Sequence, residues 1–102
     1  MYGTLRKIPI NVSSAGSTVL VLGVAGKRTS VYKVWYVVAA DVNAKFLDGA
    51  VDFHPAITIK ANGSFVLDYD KEPWFSAAPG NNFSINLSGA VQVGGILYYT
   101  QA

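Results

Sequence analysis

Short runs in which apolar and polar residues alternate, each closed by turn-forming residues, dominate this chain and leave it few ways to fold. A period of two belongs to strands with one buried face, and no stretch repeats at the helical period. The clearest run is Phe83 to Leu87: Phe83, Ile85 and Leu87 point one way, Ser84, Asn86 and Ser88 the other. Phe65 to Asp70 repeats the pattern, with Phe65, Leu67 and Tyr69 expected inward and Asp68 and Asp70 outward. Asn62-Gly63 precedes it, a dipeptide suited to the positive φ angles of a type I′ turn, so Ile57 to Lys60 is expected as its hairpin partner. Asp48-Gly49 offers a second hairpin, joining Ala44–Leu47 to Ala50–Phe53.

Arg6 to Val12 also alternates, and Pro9, which has no N–H to donate, confines that strand to a sheet edge. Ser17 to Leu22 is a short β-branched run ending at Gly23, and Gly23 to Arg28 reads as a polar hairpin loop. Gly94-Gly95 within the long run Val91 to Thr100 marks a bulge or a close backbone approach. Lys71 to Asn82 is the one sizeable irregular loop. Counting the runs yields about eight strands, the complement of a jelly roll, and predicts an all-β antiparallel sandwich.

With 102 residues the chain is expected to form a single domain, residues 1–102, in which residues 1–14 serve as an edge strand or an attachment arm. It has no cysteine, so neither disulfides nor thiolate zinc sites hold it together. Nothing like a secretory signal follows Arg6 and Lys7, and Val34 to Ala40, the longest apolar stretch, is too short to span a membrane. The expectation is a protein made in the cytoplasm of its host, with no membrane partner. Its eight basic and six acidic residues are scattered, without the dense patch that nucleic acid binding needs.

Charged residues make up only 14% of the chain, against about 25% in an average soluble domain, while 51% are hydrophobic. That imbalance predicts a surface partly covered by partners. Val31 to Ala40 localises the expectation: Trp35 and Val37 lie on one face, Tyr32, Val34, Tyr36 and Val38 on the other, and both faces are apolar except at Lys33. One of the two exceeds what a single core can bury. Tyr32, Val34, Tyr36 and Val38 are therefore candidates for an interface between copies of the chain.

Candidate chemistry is sparse. His54 is the only histidine, and no nucleophile motif accompanies it, so no triad is expected. Asp68, Asp70 and Glu72 alternate along one edge, but they lack the glycine and terminal acid of a calcium loop, and a solvated face accounts for them. Gly23, Gly26, Lys27 and Arg28 lack the spacing of a phosphate-binding loop. The expectation is thus no enzyme, no cofactor and no metal. Trp74-Phe75 in the large loop admits two readings: a plug over the open end of the sandwich, which is favoured, or an aromatic platform for a glycan.

The carboxyl-terminal half, with Trp74-Phe75, Gly80, the run Ile85-Asn86-Leu87-Ser88-Gly89-Ala90-Val91-Gln92-Val93-Gly94-Gly95 and Tyr98, resembles a family of small proteins encoded among the structural genes of tailed bacteriophages. The similarity extends more loosely through Ser17, Gly26-Lys27 and Val31 to Ala40. Such membership implies a virion protein without enzymatic activity that decorates the head or contributes to a tail or fibre, with a jelly-roll-like fold. It also implies other virion proteins as partners and, by analogy with virion jelly rolls on three-fold positions, a trimer as the favoured homo-oligomer.

Overall fold

The computed structural model describes residues 4–102; Met1 to Gly3, the start of the expected arm, lie outside them. Among the described residues ten strands follow one another: β1 (Arg6–Val12), β2 (Gly16–Val21), β3 (Thr29–Val38), β4 (Val42–Asp48), β5 (Val51–Asp52), β6 (Ile57–Ile59), β7 (Ser64–Leu67), β8 (Phe75–Ser76), β9 (Phe83–Leu87) and β10 (Val93–Gln101). They form two antiparallel sheets packed face to face. One has the order β1-β10-β3-β7 with β8 also on β3; the other runs β2-β9-β4-β5 with β6 also on β4. Because β5 and β6 share one flank of β4, and β7 and β8 one flank of β3, the ten segments occupy eight strand positions. Their order, 1-8-3-6 over 2-7-4-5, is that of a jelly roll, in which each strand crosses to the other sheet from the one before it except the fifth, which pairs with the fourth.

Alternation places the core as expected. Phe83, Ile85 and Leu87 are fully buried between the sheets, while Asn86 faces outward and donates to Ser17 Oγ. Phe65 and Leu67 pack on the core, but Tyr69 lies past the end of β7, half-exposed, and stacks on Tyr32 at 6.1 Å. Around Phe46 the rings of Phe83 at 5.1 Å, Phe75 at 5.3 Å, Phe65 at 5.9 Å and Tyr36 at 6.1 Å form one aromatic cluster. Pro9 sits on an edge strand, as its missing donor requires, because β1 pairs only with β10.

Two of the expected hairpins are bridges between the sheets. Ile57–Ile59 pairs with β4 and Ser64–Leu67 with β3, so the Asn62-Gly63 turn passes from one sheet to the other. The positive φ belongs to Asn62 at 64°, and Gly63 closes a four-residue turn by donating to the Lys60 carbonyl. Gly23 to Arg28 likewise joins β2 to β3 across the sandwich, its turn closed by Lys27 N–H to Val24 O with Gly26 at φ 75°. The hairpin at Asp48-Gly49 does form, although its tip is Gly49-Ala50, between the paired Asp48 and Val51. Only Gly49 of the two has a positive φ, the signature of a type II′ turn.

The stretch expected as a single loop, Lys71 to Asn82, contains β8, and its second half is tied down by Asp48. That carboxylate accepts hydrogen bonds from Ala78 N–H at 3.1 Å and Asn81 Nδ2 at 2.9 Å. Of the glycine pair in β10, Gly95 makes the close backbone approach, whereas the bulge lies at Tyr98/Tyr99, where the register against β3 skips Tyr32.

Candidate functional site

Strand β3 decides which face of the sandwich is open. Val34, Tyr36 and Val38 point between the sheets and are almost fully buried in the core of the same chain. Tyr32, the residue the bulge leaves over, is buried as well, under Tyr69. The interface expected at Tyr32, Val34, Tyr36 and Val38 is thus corrected: these side chains are already covered by the chain's own fold. Burial pushes the Tyr36 hydroxyl far above the ordinary tyrosine range, so the ring stays neutral there. The apolar residues that remain open lie on the opposite side, Trp35 at 36% and Val37 at 42% exposure.

Register extends that open side across four strands. Pro9, Ile96, Trp35 and Val66 stand side by side on β1, β10, β3 and β7. Val66 is 54% exposed and Pro9 is exposed, so the row forms an apolar stripe across the outer face. On one side of it runs Asn11, Gly94, Val37 and Ser64. On the other run Lys7, Tyr98 and Lys33, with Lys33 Nζ 5.6 Å from the centre of the Tyr98 ring. Asp68 follows directly after β7, one residue past the Val34–Leu67 pair, and so lies near the far end of that row without being paired in it. Lys7, Lys33 and Asp68 form no ion pair among the described residues, where the pairs are Lys45–Asp52 and Lys60–Asp41.

One sequence signal does point to this face. Lys33 shares the parity of Trp35 and Val37, and a strand in a sandwich turns its charged positions outward. Pro9, Ile96 and Val66, by contrast, carry no individual mark, because only register brings them into line.

A second apolar surface lies where the sheet edges part. A cleft of about 510 Å³ is lined by His54, Pro55, Ala56, Ile57, Phe65, Leu67, Trp74 and Phe75. The two loop aromatics divide the roles expected of them. Phe75 sits in β8, half-buried, with its ring 5.1 to 5.9 Å from Phe53, Phe46, His54 and Phe83, and it acts as the plug. Trp74 is 46% exposed, its indole N–H donating to the Asp68 carbonyl at 2.7 Å and its backbone N–H to Val31 O.

His54 is used structurally. Its Nε2 accepts the Phe46 backbone N–H at 3.2 Å while Nδ1 lies 2.7 Å from the Pro55 carbonyl, an arrangement that places the proton on Nδ1. With both nitrogens engaged and the ring against Phe46 and Phe75, the side chain braces the β5–β6 junction. Asp70 accepts the Lys71 N–H, and no three His, Asp or Glu side chains among the described residues converge on a metal position. No protein-family model, curated protein or solved structure matches the chain.

Proposed function

We propose that the chain is a non-enzymatic structural module of a tailed-phage virion, decorating the head or forming part of the tail, whose outer β1-β10-β3-β7 face is covered in the particle. The observation that carries this reading is the apolar stripe of Pro9, Ile96, Trp35 and Val66 on a molecule with so few charges. Leaving an apolar side chain in water forgoes about 1.5–3 kcal/mol of burial, and a contiguous patch of them favours assembly over a free monomer. The sequence resemblance to small virion proteins and the jelly-roll strand order support the same reading. Mass spectrometry of purified particles is the test: the chain should be present in stoichiometric amounts, and its absence would overturn the proposal.

A second reading, a carbohydrate-binding module at Trp74 and Phe75, draws on the exposed ring of Trp74. It ranks below the first because the adjoining cleft offers mainly carbon and ring surface, whereas a sugar asks for hydrogen-bonding groups beside the stacking ring. Glycan-array binding that disappears in Trp74→Ala would reverse the order.

A further inference from the structure

We infer that the outer face of the β1-β10-β3-β7 sheet docks a second copy of this chain about a two-fold axis parallel to the strands. The inference rests on the covered-face reading above and names its occupant. Rotation about such an axis lays β1 over the partner's β7 and β10 over the partner's β3, so each row of side chains meets itself in reverse order.

The three rows are complementary under that reversal. In the first, Lys7 meets the partner's Asp68, a charge of opposite sign, while Lys33 meets the ring of the partner's Tyr98, a neutral face that a cation favours. In the second, Pro9 meets Val66 and Ile96 meets Trp35, apolar against apolar throughout. In the third, Asn11 meets Ser64, and Val37 faces Gly94, where even an added Cβ would have nothing within 4 Å of its own chain. A protruding valine thus meets a gap, twice per dimer.

A three-fold contact would need two different patches that fit each other, whereas this patch fits itself. Four strands about 4.8 Å apart and five residues deep cover roughly 300 Å² in plan. That is well below the roughly 800 Å² per partner of a tight complex, so the pairing is concentration-dependent and gains most where copies are arrayed on a particle.

Sedimentation velocity from micromolar to millimolar concentration tests the inference. The mass should rise from the 10.9 kDa monomer to twice that value. Lys7→Asp and Asp68→Lys should each weaken association about tenfold, and the two together should restore it, because they exchange the signs at both ends of the row. Gly94→Leu should abolish the dimer while the monomer melts no lower. A monomer at every concentration, a trimer, or a double charge swap no stronger than its single parents would overturn the two-fold docking. Virion incorporation that is lost in Trp35→Lys while the isolated wild-type chain stays monomeric would transfer the face to another virion protein, ending this inference but leaving the covered-face reading intact.

Discussion

Gly95 has no room for a side chain, because a Cβ on it would collide with the carbonyl oxygen of Trp35 on the neighbouring strand. Its chain neighbour Gly94 has open space at the same point. Gly95→Ala should therefore destabilise the sandwich by about 1–3 kcal/mol, as overpacking against backbone does. Gly94→Ala should leave the urea midpoint unchanged or raise it slightly, since an alanine there restricts only the unfolded chain. Equal effects at the two positions would contradict the strand approach described here.

Phe75 and Trp74 are adjacent but not equivalent. Phe75→Ala removes a ring from the Phe46 and Phe83 cluster and should cost about 2–4 kcal/mol in thermal or urea denaturation. Trp74→Ala removes a half-exposed ring with one hydrogen bond to the Asp68 carbonyl and should cost about 1–2 kcal/mol. The reverse order would make Trp74 the plug.

Gly63→Val should cost about 1–3 kcal/mol, through contact rather than through positive φ. A Cβ at Gly63 would lie 2.7 Å from the Lys60 carbonyl oxygen and 3.1 Å from Ile59 Cγ2. Asn62→Gly should be nearly neutral, because Asn62 holds the left-handed position and glycine occupies it without strain. Melting temperatures of the two variants distinguish contact from backbone conformation.

Asp41 adds a pH dependence. The hydrogen bond from the Ala61 backbone N–H, reinforced by the Lys60 charge, holds its carboxyl below the usual carboxylate range. A lowered folded-state value means the anchor is fully present above the ordinary carboxylate range and is lost as pH falls through the folded value. Melting temperature should therefore decline on acidification, and Asp41→Asn should flatten that decline at its acid end. An unchanged slope in the variant would remove Asp41 from the account.

Much of the fold was legible from local pattern. Phe83–Leu87 emerges with the boundaries its alternation implies, and Pro9 stands on an edge strand because a prolyl nitrogen cannot donate to a second neighbour. Asp48-Gly49 marks the place where the chain reverses, but the turn centres one residue later, on Gly49-Ala50, with Asp48 still paired in its strand. The open face was not read correctly: the expectation placed the surplus on Tyr32, Val34, Tyr36 and Val38, which are as apolar as Trp35 and Val37, so hydrophobicity could not rank the two sides, and only the parity of Lys33 with Trp35 carried the answer.

The sequence by itself determined that the chain is built of short antiparallel strands with one principal buried face, because side-chain direction along an extended backbone follows from chain geometry alone. Only the tertiary structure decided which strands share a sheet. A turn such as Lys60 to Gly63 specifies that the chain reverses, but the next strand can add beside the last or cross to the opposite sheet, and packing of the remaining strands selects between them. Register was likewise a tertiary outcome. Pro9, Ile96, Trp35 and Val66 come from four distant parts of the chain, and hydrogen bonds between strands, not any property of the residues, bring them into one row.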